Sequence, residues 1–308
     1  MRVYFFHSVT SDIQYWDPKK NALVHEKVYG EKWLRFTYEN WIGKIGLWAL
    51  VKRAWFSKWY GKRMSHPDSA SKIAPFIKNY GLDTNEFLHD PHSFHSFNEF
   101  FYRKLAPNAR PIAESDSSLV FPADGRHLVI PDISKVGYIY AKGQSFDLKK
   151  LLQSPEYAEE YKEGSMLISR LCPVDYHRFH FPASGKLEKT SLINGDLLSV
   201  NPIALSKRIS IFWENKRYLS FLETKTIGKI AQLLVGATCV GSVHLTAKEG
   251  SNVQKGEEYG YFSFGGSCVI TLFPPGSIRF DKSLLEWSEK GVETYSRMGE
   301  KMADVITV

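Results

Sequence analysis

The chain has 308 residues and a formal net charge of +7, long enough to bury a sizeable core without staples and basic enough to suit a polyanion such as nucleic acid or an anionic lipid surface. Its three cysteines, Cys172, Cys239 and Cys268, are odd in number with no paired spacing, which argues against a disulfide framework or a CxxC zinc site and for a reducing compartment. The opening MRVYFFHSVTS has too short an apolar run for a signal sequence, and no later window offers eighteen uncharged apolar residues, so neither secretion by that route nor a membrane-spanning helix is expected.

The first distinctive element is the window Trp41 to Arg63, WIGKIGLWALVKRAWFSKWYGKR, which holds half of the tryptophans and no acidic residue. Trp41, Ile45, Trp48, Trp55 and Trp59 recur at helical spacing, although Lys52 interrupts the stripe and Gly43 and Gly46 weaken the helix. Indoles beside long basic chains suit a membrane interface, with Trp41, Trp48, Trp55, Trp59, Lys52 and Lys58 as its contacts. Packing of the stripe on the rest of the protein is the plain alternative. Base stacking on RNA ranks last, because no RNP, KH or zinc-knuckle signature accompanies the window.

Helical pattern continues over Ser71 to Tyr80, and Ser96 with Glu99 fits a capping box ahead of Phe100, Phe101 and Tyr102. The segment Leu105 to Asp116 collects Pro, Asn and charge without periodicity, which places a boundary there. Residues 1–105 are thus expected to be a helical, membrane-associating region, and 106–308 a β-rich catalytic region. From Ser118 onward, short β-branched and aromatic runs separated by Gly, Pro and Asn predict mostly antiparallel structure in a sandwich or barrel. The whole is an α+β chain. Val253 to Tyr261, VQKGEEYGY, resembles the turn and strand of lipoyl-like β-sandwiches, without a lysine suited to carry a group.

Three short stretches hold the candidate chemistry. FPADGR places Asp124 before Gly125, by itself a plain turn. CPVDYHRFHFP sets His177 and His180 three apart beside Asp175, and histidine is the usual proton shuttle near neutral pH. A metal held by this pair would need a third ligand; His89, His92 or His95 could offer one, but no HExxH or Cys pair supports it, and no metal is expected. Finally YGYFSFGGSCVITLF breaks at Gly265 and Gly266 ahead of Ser267. A bulge or tight hairpin explains such a break, yet a serine hydroxyl beside an unhindered glycyl carbonyl is also the geometry that an N-to-O acyl shift needs. Ser267, His180 and Asp124 together supply nucleophile, base and orienting acid.

The stretches SFHSFNEFFYRKLAPNARPI, FPADG, CPVDYHRFHFPASG, VGATCVGSV and KGEEYGYFSFGGSCVITLFPPG, in this order over most of residues 93 to 276, resemble the pyruvoyl-dependent phosphatidylserine decarboxylases. The resemblance implies autocatalytic serinolysis between Gly266 and Ser267, giving a β chain of residues 1–266 and an α chain of residues 267–308 that begins with a pyruvoyl group made from Ser267. It implies His180 as the base, oriented by Asp124, and His177 in substrate binding and decarboxylation. The pyruvoyl ketone would take the amine of phosphatidylserine as a Schiff base and act as electron sink, yielding phosphatidylethanolamine and CO2 with no metal and no pyridoxal phosphate. It further implies a peripheral enzyme on the cytoplasmic side of an anionic cell membrane, chains that stay associated, a possible homodimer of the αβ unit, and no nucleic acid partner. Many family members carry Leu-Gly-Ser-Thr where this chain has Gly265-Gly266-Ser267-Cys268. Two alternatives compete: a serine hydrolase using Asp124, His180 and Ser267 without self-cleavage, which would lack a GxSxG elbow, and a non-catalytic membrane adaptor.

Overall fold

The computed structural model describes residues 13–41, 54–135, 146–237, 243–265 and 267–306. Trp48, Lys52, Cys239 and Gly266 lie outside the described residues, whereas Trp55 and Lys58 fall on a described helix.

The strands, in chain order, are β1 (Gln14–Asp17), β2 (Ala22–His25), β3 (Ser118–Val120), β4 (Gly125–Ile130), β5 (Ser165–Leu171), β6 (Arg178–His180), β7 (Gly185–Leu187), β8 (Ser191–Ile193), β9 (Arg217–Thr224) and β10 (Gly228–Val235). They continue with β11 (Val243–Leu245), β12 (Asn252–Val253), β13 (Glu258–Phe262), β14 (Ser267–Phe273), β15 (Ile278–Phe280), β16 (Glu293–Ser296) and β17 (Lys301–Val305). Among the described residues they form an 11-stranded sheet in the order β12-β7-β9-β10-β14-β5-β4-β16-β1-β2, with β8 on β9, and two three-stranded sheets, β11-β13-β6 and β15-β17-β3. Nearly every pairing is antiparallel; β1 on β16 is parallel. The expected α+β, mostly antiparallel architecture is present. The sheets among the described residues do not close into a barrel.

The strand at the centre explains the apolar run Val269 to Phe273. β14 lies between β10 and β5, and its residues alternate between two cores: Cys268, Ile270 and Leu272 face one cluster with Met166 and Ile168, while Val269 and Phe273 face the other with Leu167 and Leu171. A strand buried on both faces reads as a continuous hydrophobic run, with no polar face left to alternate.

The N-terminal region differs from the helical expectation at its start. Gln14–Asp17 and Ala22–His25 form a hairpin that joins the main sheet beside β16, with Trp16 stacked on Trp287 at 4.3 Å. Each strand has four residues, too short for a periodicity signal in the sequence. Among the described residues the α-helices that follow are α1 (Glu31–Glu39), α2 (Ala54–Ser65), α3 (Ile73–Tyr80) and α4 (Phe97–Phe101). Ser96 caps α4 by accepting from the Glu99 N–H at 3.2 Å. The Glu99 carboxylate reaches back one residue further than a standard capping box, to the His95 N–H at 2.7 Å. Helices α2 to α4 bury Met64, Ile73, Phe76, Phe97, Phe100 and Phe101 in a third, aromatic cluster, to which the body of the protein contributes Phe264. On the outside Trp41 is 70% exposed, Trp59 51% and Phe36 44%, so these rings do not pack into a core. No helix among the described residues is long and apolar enough to cross a membrane.

Candidate active site

Register places Ser267. It opens β14 opposite Leu171 of β5, with Cys268 opposite Arg170, so the serine lies beside the chain as it leaves β5 at Cys172. The turn that follows folds back tightly: Asp175 N–H donates to the Cys172 carbonyl at 2.8 Å, and β6 then carries His180. His177 thereby reaches Ser267.

Ser267 Oγ lies 3.4 Å from His177 Nδ1, and His177 Nε2 lies 2.9 Å from the Cys172 carbonyl. A carbonyl only accepts, so Nε2 carries the proton and Nδ1 presents its lone pair to the serine hydroxyl. Both residues are fully buried. Burial drives the His177 pKa down to about 3, against the Cys172 hydrogen bond and aided by the Arg103 charge, which keeps the ring neutral. Phe101 of α4 stacks on it at 3.8 Å and also packs on Phe264 at 4.9 Å, while the Phe264 N–H donates to Asn98 Oδ1 at 2.8 Å. One short helix therefore fixes both the histidine and the residue two positions before the Gly266–Ser267 bond. Between them Gly265 adopts φ +137°, a conformation open to glycine and strained for other residues.

His180 and Asp124 sit in the same buried cluster without forming the expected chain to Ser267. His180 Nδ1 donates to the Gly256 carbonyl at 2.9 Å, which leaves a buried Nε2 lone pair with no partner among the described residues; burial lowers this pKa too. Asp124 is taken up by Arg110, which grips both carboxylate oxygens from Nε and donates from Nη2 at 2.6 Å, and by the Met298 N–H at 2.8 Å. In this geometry the histidine nearest Ser267 is His177, because the Cys172 turn aims it there, and the side chain bound to Asp124 is the Arg110 guanidinium. The position of Asp124 itself follows from Gly125, where an added Cβ would meet the Arg170 carbonyl oxygen at 2.5 Å; only glycine lets β4 approach β5 so closely.

Beside the dyad lies a mostly apolar cavity of about 410 Å³, lined by Tyr29, Leu34, Trp59, Cys172, Phe264 and Gly265 among others. Glu26 and Arg170 line its charged side. Arg170 is bound by Glu26 at 2.6 Å and by Glu293. Burial would raise the Glu26 carboxyl, but Arg170 and Arg126 outweigh it and hold it at about 2. Sequence reading missed these two groups, as well as Arg110 and Phe101. The FNEFF helix and the charged RPI segment were visible as words, but their targets are more than a dozen residues away along the chain.

Among the described residues no group of three or more His, Cys, Asp or Glu side chains is arranged to hold a metal; His89, His92 and His95 are exposed. The residues do fit a pyruvoyl group made in place, since its precursor Ser267 has a neutral base on its hydroxyl, a glycine-rich approach and a cavity alongside.

The family model for phosphatidylserine decarboxylase matches residues 97–304. The chain is 41% identical over 292 residues to a phosphatidylserine decarboxylase proenzyme of Fusobacterium nucleatum, covering 95% of this chain and 97% of that one. It is 42% identical over 290 residues to one of Clostridium novyi, covering 94% and 98%, and 41% identical over 293 residues to one of Chlamydia muridarum, covering 95% and 97%.

Proposed function

Because this chain belongs to the phosphatidylserine decarboxylase family, we propose that it is a proenzyme that cuts itself between Gly266 and Ser267 and then decarboxylates phosphatidylserine to phosphatidylethanolamine. The observation that carries the reading is the buried Ser267–His177 contact beside an apolar cavity.

In the cutting step, Ser267 Oγ attacks the Gly266 carbonyl carbon while His177 Nδ1 takes its proton. The Gly266–Ser267 C–N bond breaks, the nitrogen receives the proton, and an ester joins Gly266 to the serine oxygen. Loss of the Ser267 Cα proton expels the Gly266 carboxylate and leaves a dehydroalanine, whose tautomer adds water and releases ammonia to give the pyruvoyl terminus. That terminus supplies a carbonyl that takes the substrate amine and holds the electron pair left when CO2 departs. Around it the chain provides the rest: the apolar cavity receives the lipid and limits water, and His177 can return a proton to the substrate α-carbon from the position it already occupies.

A second reading has its own observation. The unpartnered Nε2 of His180, in a cluster with Asp124, is a free buried base, and a shift of the serine toward it would give the order Asp124, His180, Ser267 for the cutting step and leave His177 for decarboxylation. Residues 1–105 are proposed as the membrane-associating region and 106–308 as the catalytic one, with Trp41, Trp59 and the basic residues of the Trp41 to Arg63 window on the cytoplasmic face of an anionic membrane. The two chains are proposed to stay together, as a unit able to form a homodimer. A serine hydrolase or an inert adaptor would leave the chain whole. Intact-mass measurement of the denatured protein separates these: two fragments meeting at Gly266 and Ser267, the C-terminal one lighter by one ammonia than a serine-started peptide, support the proposal, and a single full-length mass refutes it.

A further inference from the structure

Arg110, Arg126, Arg170 and Arg178 each hold a carboxylate, which is how a buried charge is ordinarily kept. Arg217, bound to no carboxylate among the described residues, donates instead from all three nitrogens to backbone carbonyls. Arg103 differs from all of them. It is 5% exposed, yet among the described residues no carboxylate binds it, its Nε has no partner, and its hydrogen bond is a long one of 3.5 Å from Nη1 to the Phe100 carbonyl. Its guanidinium lies over the faces of Phe87 at 4.7 Å and Phe100 at 4.9 Å. Burial lowers its pKa to about 10, while the charges of Asp124 and Asp175 work against the fall, so it is a cation at neutral pH.

This spare cation stands next to the bond that breaks. Arg103 follows the end of α4 by two residues. On that helix Asn98 accepts from the Phe264 N–H at 2.8 Å, and Phe101 packs on Phe264 at 4.9 Å and on the His177 ring at 3.8 Å. That ring is 3.4 Å from Ser267 Oγ, and the Arg103 charge acts on it. The stretch 97–103 thus carries the guanidinium and grips both the strand end leading to Gly266 and the ring facing Ser267.

Self-cleavage makes one anion that the intact chain lacks. The Gly266–Ser267 amide is neutral and so is a pyruvoyl end, whereas Gly266 becomes a carboxylate, released beside a fully buried Ser267. In the elimination a base takes the Ser267 Cα proton, the C–H electron pair forms the Cα=Cβ double bond, the Cβ–O bond breaks, and its pair leaves on the Gly266 carboxylate. A guanidinium suits that group in charge and in its forked donor geometry.

We propose that Arg103 is the counter-charge for the Gly266 carboxylate: its N–H groups take up the leaving oxygens as the Cβ–O bond breaks, then hold the new C-terminus of the large chain clear of the pyruvoyl group. This rests on the reading that the chain cuts itself between Gly266 and Ser267, and not on which histidine takes a proton.

The experiment follows the freshly translated full chain as the unaltered protein, Arg103→Gln and Arg103→Lys, with intact mass read before and after hydroxylamine. Hydroxylamine attacks the ester carbonyl and frees a small chain that starts with serine; completed elimination gives the pyruvoyl-started chain, lighter by one ammonia. The expected result is passage from ester to pyruvoyl slowed roughly ten- to hundred-fold in Arg103→Gln, the scale of a lost hydrogen bond to a charged group. The serine-started chain then accumulates on trapping, and less of it forms in Arg103→Lys. A folded Arg103→Gln that matures at the unaltered rate, or that forms no ester at all, overturns the inference. So does normal maturation with a raised KM for phosphatidylserine, which gives the guanidinium to an anion of the substrate. Should Arg103→Gln fail to fold, a crystal structure of the self-cleaved unaltered chain decides: a Gly266 carboxylate within hydrogen-bond distance of the Arg103 guanidinium sustains the inference, and one in solvent or on another group overturns it. An unaltered chain that never cleaves fails the proposed function itself, and the inference with it.

Discussion

Ser267 Oγ stands 3.4 Å from His177 Nδ1, and it is the opposite nitrogen of that ring, bound to the Cys172 carbonyl, that makes the near one a base. A serine hydroxyl is a weak nucleophile without such a partner. The contact thus gives a rank order for mutants. Ser267→Ala should leave one intact chain with no decarboxylation, and His177→Ala should slow self-cleavage by about a hundred-fold or more, the usual scale for a positioned proton-transfer group. A gel time course of freshly made protein reads both. If His180→Ala stops cleavage while His177→Ala cleaves normally and only decarboxylation is lost, the order through Asp124 and His180 holds instead.

Cleavage should not release the small chain. β14 is hydrogen-bonded on one side from Cys268 to Leu272 against β10 and on the other from Ser267 to Phe273 against β5, while β16 pairs with β4 and β1 and β17 with β3, all in the large chain. Freeing residues 267–308 would expose both cores at once. The two fragments should co-elute in native size-exclusion chromatography and separate only in denaturant. Separation in native buffer would contradict the central placement of β14.

Stability should fall on the acid side of neutrality. Burial holds His127 and His177 at about 3, below the usual histidine value of about 6.5. Between those values the unfolded chain binds protons that the folded chain refuses, so stability is full above about pH 6.5 and declines as pH drops, on the order of 1 kcal/mol per pH unit for each histidine. Glu26, held at about 2, adds a loss in the same direction below about pH 4.5, since its ion pairs with Arg170 and Arg126 weaken on protonation. Denaturant midpoints for the Ser267→Ala chain between pH 4 and 8 check this; a flat profile would contradict the burial of these rings.

Arg110→Met should destabilise the fold by about 3–5 kcal/mol, the range for breaking one side of a buried ion pair. Arg110 and Asp124 have side-chain exposures of 8% and 2%, and among the described residues the variant leaves Asp124 with the Met298 N–H as its donor. Thermal unfolding measures it. Arg110→Met with an unchanged Tm would mean the pair is not formed.

Exposed Trp41 and Trp59 should contribute to binding at a lipid surface. Flotation with vesicles containing phosphatidylserine should weaken in Trp41→Ala/Trp59→Ala, and weaken further with salt, as expected for a basic surface on anionic lipid. Equal binding by the double variant to neutral and anionic vesicles would place the membrane contact elsewhere.

The sequence by itself determined the family, the serine at which the chain is expected to part, the pair of histidines and the β-rich body, because those rest on local words: GGS before an apolar strand, HRFH after a turn, and FPADG. It also marked α4 through Ser96 and Glu99, since capping is settled within four residues. What it could not supply was pairing over distance. Which histidine faces Ser267 depends on the register of β14 against β5 and on the Cys172 turn; a three-residue spacing along a strand and its loop turns the two rings in different directions. That Asp124 meets Arg110, that Glu26 from a four-residue strand hairpin reaches Arg170, and that Phe101 lies flat on His177 are likewise decided by packing. Buried charges find partners wherever the folded chain brings opposite charge, and no periodicity in the sequence records where that will be.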